Sequence, residues 1–388
     1  MCCRALIKEG GGLKMKRRQF LKIGSGFSIG FLLPQSVFAL SHQQITHSNM
    51  SWQPYDSSTV IDGLSAAFDY GIKSFDENTL ALFKQSGISA LNATIPSPGD
   101  DHKTTLVKVQ ATLDLIKRYP KYFRLVTKAA DVLAAKRQKQ IGIIMGFQST
   151  EMFADDLSQI DFFARQGVRY MQMSYNGPSQ YGSGGLVSDD AGLTTLGRKA
   201  LARMEKNKVL VDLSHSGKKT VADAISAATR PITISHTGCN SVYRHPRNND
   251  DAELKAVANK GGVIGLYLMP FLEGGDSELT AEALLRHIDY AVNLVGEDHV
   301  SIGSDQGVVP VNDGPEYREA IRQEVKRRIA AGISAPGETP NRPPFIAELN
   351  SERRMELIAW HLQKRGYQNR QIDKILGTNL LNLYREVW

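Results

Sequence analysis

From residue 58 to residue 303, short apolar runs alternate with longer stretches in which apolar residues recur every three or four positions. The short runs are Thr59–Asp62, Ala90–Ile95, Ile141–Phe147, Val168–Ser174, Val209–Ser214, Pro231–Ser235, Gly262–Leu268 and Val300–Gly303. Between them, Thr105–Arg118, Leu157–Gln166, Leu196–Asn207 and Thr280–Leu294 carry the helical period. Strands rich in Val, Ile and Leu, apolar on both faces and separated by helices, predict a parallel sheet covered on both sides. Eight such units over roughly 320 residues predict an α/β chain folded as a (β/α)8 TIM-type barrel. Phe123–Thr127 is a ninth strand candidate, so the count leaves a doubly wound open sheet as the alternative. No G-x-G-x-x-G follows the first strand, which speaks against that alternative. The charge-dense Arg318–Arg328 reads as a solvated helix.

A barrel of this kind takes its functional side chains from the C-terminal ends of its strands. Those ends carry Asp62 with Leu64 and Ala66, then Gln148, Tyr175, His215, His236 and Asp305. The runs VLVDLSHSG and PITISHTG each bring an apolar strand to a histidine, with a glycine two residues on. A buried strand has no use for imidazole unless something binds it. One such histidine is most simply a hydrogen-bonded structural residue, but two on adjacent strands point to a ligand pair. With Asp305 they are the ingredients of a hydrolytic metal site, in which neutral imidazoles hold Zn²⁺ and a free carboxylate takes a proton.

Charge changes the picture only once it is located. The chain has 388 residues and a net charge of +7, from 47 Lys/Arg and 40 Asp/Glu. Seven of those bases and one of the acids lie in residues 1–39, which leaves 40 against 39 beyond them. A near-neutral body excludes a nucleic-acid footprint. The basic leader places Arg17 and Arg18 before Phe20-Leu21, an Ile23–Leu33 stretch diluted by Gly and Ser, and Val37-Phe38-Ala39. That is the layout of a twin-arginine signal peptide over residues 1–39, with a second start at Met15, and it predicts cleavage and a periplasmic mature protein. The alternative is an N-terminal anchor, for which the apolar stretch is short. Residues 40–57 are then an N-terminal extension and 58–388 one barrel domain, with no other run long enough to span a membrane. Cys2 and Cys3 fall in the leader, so Cys239 alone remains and has no partner for a disulfide.

Asp212-Leu-Ser-His215, Ser235-His236-Thr237, His245-Pro-Arg-Asn248 and Ile302-Gly-Ser-Asp305 resemble the membrane (renal) dipeptidase family of zinc peptidases, within the amidohydrolase superfamily. Gly261–Gly265 and Ile375-Leu-Gly-Thr-Asn379 are similar to it too, and the resemblance runs from about residue 58 to the end. It implies a (β/α)8 barrel in which two bridged zinc ions hydrolyse dipeptides. It further implies that His215 and His236 hold one zinc, that Asp305 is the acid/base carboxylate, and that Arg247 clamps the substrate's terminal carboxylate. A fork-shaped guanidinium suits such a carboxylate chemically. The small peptide substrate and the twin-arginine export machinery are the expected partners, and a homodimer is left open.

The first half departs from that pattern. Where the family begins Asp-Gly-His-x-Asp, this chain reads Asp62-Gly63-Leu64-Ser65-Ala66. The bridging glutamate is replaced by Gln148 and a substrate-facing histidine by Tyr175. Leucine and alanine offer no lone pair, and an uncharged amide cannot bridge two cations well. Two readings follow. One is a single-zinc hydrolase built on His215 and His236, with Gln148 or a water as a weak further ligand and Asp62 or Asp69 as displaced donors. The other is a barrel that binds a peptide-like ligand through Arg247 without turning it over.

Overall fold

The computed structural model describes residues 49–67, 74–330 and 334–388. The leader expected over residues 1–39, together with Asp69, lies outside them. Among the described residues there are nine parallel strands: β1 Ile61–Ser65, β2 Ala90–Thr94, β3 Phe123–Leu125, β4 Ile141–Phe147, β5 Val168–Gln172, β6 Leu210–Asp212, β7 Thr233–Thr237, β8 Val263–Leu266 and β9 Val300–Ile302. Eight of them run in the order β1-β2-β4-β5-β6-β7-β8-β9, and β3 pairs only with the outer part of β4. The ninth strand candidate is therefore real but stands off the barrel path. The barrel alternative holds over the open sheet.

The ring closes through side chains as much as through backbone. The Leu64 carbonyl accepts from Asp305 N at 3.0 Å, and Ser65 bridges Gln306. Asp62 Oδ1 accepts from Ser304 N at 2.8 Å, and Asp62 Oδ2 from Ser304 Oγ at 2.5 Å. The barrel interior admits the tight approach of β7 to β8 and β9 only because two glycines face it. A Cβ on Gly265 or Gly303 would lie 1.9 Å from the Ser235 carbonyl oxygen.

One end of the barrel is plugged. Helix Asn379–Val387 puts Leu380, Leu381, Leu383, Tyr384 and Val387 against Ile61, Ala90, Tyr170, Leu210 and Val263, and the Tyr170 and Tyr384 hydroxyls meet at 2.8 Å. Gly377 just before it lies so close to Thr59 that a Cβ would stand 2.1 Å from that carbonyl oxygen, and Asn379 Nδ2 donates to the Glu297 and Val300 carbonyls. The Ile375–Asn379 motif thus locks the C-terminus under β1 and β9. Chemistry is left to the opposite end, where the strands finish.

Three expectations change. The first strand starts at Ile61 rather than Thr59, so Asp62 is its second residue and not its tip. Strand β6 ends at Asp212 while β7 runs through His236, so the two histidines are not at equivalent positions. The charge-dense helix, Pro315–Ala330, is not simply solvated. Tyr317, Ile321 and Val325, four residues apart, pack with Phe345, and Arg328 forms an ion pair with Glu338 in which both side chains are 5% exposed. Dense charge on the other faces hid that stripe. Before the barrel proper, Trp52 and Tyr55 are buried, with Trp52 Nε1 donating to Asn369 Oδ1 at 2.9 Å and the Tyr55 hydroxyl to the Ser86 carbonyl at 2.7 Å. The end of the extension is docked on the barrel.

Candidate functional site

At the open end, β6 hands over to a turn and β7 carries straight through. His215 lies three residues past β6 with φ +66°, and Asp305 lies three past β9 with φ +57°. A left-handed conformation costs a non-glycine residue on the order of 1–3 kcal/mol and persists where the surroundings impose it. Both residues are thus turned back over the barrel mouth. His236 is fully buried within β7 and His215 is 6% exposed. Their Nε2 atoms face each other at 2.8 Å.

Each imidazole is held from behind. His215 Nδ1 is 2.7 Å from Asn176 Oδ1, and His236 Nδ1 is 2.8 Å from Ser235 Oγ. Ser235 Oγ in turn donates to Asp212 Oδ2 at 2.5 Å. Burial, aided by the neighbouring Arg247 guanidinium, holds both histidines well below the ordinary imidazole pKa, so both are neutral, the form that ligates metal. The Tyr175 ring stacks on His215 with centroids 4.0 Å apart, and burial pushes its phenol up to about 12.

Arg247 is buried, with its guanidinium 6.0 Å above the Tyr267 ring and no hydrogen bond to a described residue. The loop that carries it is braced by His245, which accepts from Arg247 N through Nδ1, donates from Nε2 to the Pro336 carbonyl at 2.6 Å, and stacks on Phe271. The Asp305 carboxyl is pushed up to about 7, first by burial and then by Asp62, against the opposing pull of Arg247. Beside His215 and Arg247 opens a cavity of about 270 Å³, whose walls include Ser216, Lys218, Asn240 and Arg244.

The structure therefore gathers His215, His236, Tyr175, Arg247 and Asp305 around one space. Gln148 is buried just beyond β4 with no hydrogen-bond partner for its Nε2. Leu64 is buried at the end of β1 with Ala66 following β1, and neither offers a lone pair. Asp62 is not a displaced donor. Both its oxygens are committed to Ser304 across the barrel seam, and burial pushes its carboxyl up to about 6. Among the described residues, no three His, Cys, Asp or Glu side chains are grouped to hold a metal. Cys239 is buried beneath this region, and burial pushes its thiol up to about 12, which keeps it inert.

Asn176, Asp212 and Ser235 were missed as site residues by the sequence reading. For Asp212 a signal existed, since a carboxylate inside an apolar strand three residues before a histidine needs a reason. Asn176 sits in an irregular loop and left none.

The chain is similar to known proteins over most of its length. A model of the membrane dipeptidase family, peptidase family M19, matches residues 74–329. The chain is 26% identical over 301 residues to an uncharacterized protein in the pqqA 5′ region of Klebsiella pneumoniae, covering 75% of this chain and 98% of that one. It is 25% identical over 293 residues to the dipeptidase tcpJ of Claviceps purpurea, covering 74% of this chain and 61% of the relative. An amidohydrolase from Pseudomonas aeruginosa superposes with a TM-score of 0.74 at 28% identity, covering 87% of this chain and 98% of that one. A Rhodobacter sphaeroides metallo peptidase liganded with a phosphinate mimic of the dipeptide L-Ala-D-Ala superposes at 0.68 and 20% identity, covering 85% and 99%, a likeness of fold.

Proposed function

The chain belongs to the membrane dipeptidase family, peptidase family M19, and on that premise we propose that it is a metal-dependent hydrolase of dipeptides with a reduced, single-zinc site, exported to the periplasm. The observation that carries this reading is the asymmetry of the barrel mouth. Two neutral imidazoles converge through Nε2 at 2.8 Å on one side, while Leu64 and Ala66 stand on the other. That donor set suits one cation and not two; Gln148, whose Nε2 is the buried atom without a partner, offers only its uncharged carbonyl oxygen as a further ligand.

A zinc held there supplies a Lewis acid that polarises a carbonyl and activates water. The chain's own residues do the rest. Arg247, buried and with no hydrogen bond from its guanidinium to a described residue, takes the terminal carboxylate of the peptide in a two-pronged contact. Its position beside the 270 Å³ cavity leaves room for the residue attached to that carboxylate. Asp305, with its carboxyl raised to about 7, takes a proton on a carboxylate oxygen near neutral pH and returns it to the leaving amine. Tyr175, stacked on His215, walls off the ring from solvent. Export rests on the leader, with Arg17-Arg18 ahead of a short, glycine-diluted apolar stretch.

Elemental analysis of the purified mature protein, paired with a dipeptide hydrolysis screen, tests the reading. One zinc per chain and hydrolysis lost on chelation are expected. Two zincs per chain would overturn the reduced site. No metal after reconstitution, with peptide binding retained, would favour the non-catalytic binding barrel that Leu64 and Ala66 also suit.

A further inference from the structure

The hydrogen bonds behind the two imidazoles carry information that the ligand pair alone does not. Asp212 sits at the end of β6 and accepts five bonds from the tips of three strands. Its Oδ1 receives Ser214 N at 3.0 Å, Ser214 Oγ at 2.8 Å and Ser235 N at 2.9 Å. Its Oδ2 receives Ser235 Oγ at 2.5 Å and Gln172 Nε2 at 3.0 Å. A carboxylate so loaded has no proton to give, so the single hydroxyl proton of Ser235 points at Asp212. Ser235 Oγ can then only accept from His236 Nδ1 at 2.8 Å. His236 is thereby an Nδ1–H tautomer with a lone pair on Nε2. His215 Nδ1 meets the Asn176 amide at 2.7 Å, and with the amide oxygen turned towards it His215 is an Nδ1–H tautomer too.

Both lone pairs now point into one gap of 2.8 Å. Two lone pairs at that distance repel unless a proton or a metal ion lies between them. We propose that Asp212, acting through Ser235, and Asn176 are positioning residues that fix His236 and His215 as Nδ1–H tautomers and so aim both Nε2 lone pairs at a single metal ion. This rests on the reading that the histidine pair holds a metal. It adds which residues decide whether the pair can hold one. A backing partner that sets tautomer and orientation is worth about 10–100-fold in metal affinity at other sites.

The relay makes a specific demand on Asp212→Asn. Three donors converge on Oδ1, so the amide must keep its oxygen there and present Nδ2 at the Oδ2 position. Gln172 accommodates this by rotation, because its Oε1 is buried without a partner and can turn to accept. Ser235 Oγ then receives a proton from the amide and sends its own to the nearer acceptor, His236 Nδ1 at 2.8 Å, rather than to Ser214 Oγ at 3.2 Å. His236 then takes the Nε2–H tautomer and loses its lone pair in the gap. The fold keeps its hydrogen bonds and the ligand is lost.

The test is cobalt titration of the full-length mature chain after metal removal, followed by visible absorption and calorimetry, with the ¹⁵N shifts of the His236 ring read in the metal-free state. Wild type should bind one Co²⁺ and show a protonated Nδ1. Asp212→Asn should bind roughly 10–100-fold more weakly, with the ring proton moved to Nε2 and the circular dichroism unchanged. Asn176→Leu should weaken cobalt binding similarly through His215, while Asn176→Asp, which keeps the acceptor, should bind at least as well as wild type. Wild-type affinity in both Asp212→Asn and Asn176→Leu overturns the proposal. So does equal loss in Asn176→Asp and Asn176→Leu, which would make the position merely structural. If Asp212→Asn does not fold, the Asn176 pair decides alone. A wild type that takes up no cobalt removes the metal reading and this proposal together, whereas binding that ignores the substitutions removes only the proposal.

Discussion

The Nε2 atoms of His215 and His236 stand 2.8 Å apart, with ring planes inclined at 62°, a distance at which two ring nitrogens need a proton or a cation between them. Everything around the pair keeps it neutral and aimed. Burial lowers both pKa values, and the partners of both Nδ1 atoms are acceptors. Leu64 and Ala66 offer no lone pair and Asp62 is committed to Ser304, so metal binding runs through these two rings, with Arg247 and Asp305 beside them.

Replacing either ring by alanine should abolish metal uptake, because no third strong ligand stands among the described residues. Asp305→Asn should leave the metal in place and stop turnover, since the amide cannot take a proton. Elemental analysis beside a hydrolysis assay reads both. Retained metal in His236→Ala would mean that the ion is held elsewhere.

A ligand with a free C-terminal carboxylate should bind better than its amide through Arg247. The difference should be on the order of 1.5–3 kcal/mol, the usual worth of a charge-assisted bond. Arg247→Ala should erase it. Calorimetry on acid and amide with both proteins decides the matter, and equal affinities in wild type would remove the clamp.

The stability contributed by His287 and His245 should be lost as pH drops from about 6.5 towards 4, against the opposite trend of Asp305 and Asp62, whose raised carboxyls take up protons first in the folded chain. His287 is fully buried in one neutral tautomer, accepting from Cys239 N at 2.9 Å and donating to the Leu272 carbonyl at 2.9 Å. Burial lowers its pKa to about 4, and His245 is lowered to about 4 in the same way. The unfolded chain takes up these protons near pH 6.5 and the folded chain does not, so acid favours unfolding across that window. Each residue contributes at most on the order of 3 kcal/mol. Urea denaturation at stepped pH should show His287→Gln less stable than wild type at neutral pH, with the gap closing as the pH falls towards 4.

Gly303→Ala should destabilise the barrel by about 1–3 kcal/mol, because the new methyl meets the Ser235 carbonyl 1.9 Å away. Ser235 backs His236, so metal affinity should fall as well. Thermal unfolding that matches wild type would mean that β7 moves aside without cost.

Replacing Arg17 and Arg18 with lysine should trap the precursor in the cytoplasm. Fractionation followed by immunoblotting reads it. Normal export of the double variant would reassign the leader to the general secretory route or to an anchor.

The sequence by itself determined the architecture and the order of the chemistry along it. Apolar strands separated by amphipathic helices have one economical packing, a parallel barrel. That packing places whatever follows each strand at one common end, so His215, His236 and Asp305 were legible as a set before any contact was known, while Arg247 came from the family resemblance alone. Leu64 and Ala66 were equally plain, since a side chain without a lone pair cannot ligate wherever it lies. The tertiary structure decided what depends on direction and on partners from distant strands. Asp62 looked like a spare donor until the closing of β1 on β9 spent both its oxygens on Ser304. The stripe of Tyr317, Ile321 and Val325 was buried under a helix that its charges made look solvated. The tautomers of the two imidazoles come from Asp212, Ser235 and Asn176 meeting across β6, β7 and the loop after β5. A hydrogen bond has a direction that residue identity does not carry, and only the folded chain sets it.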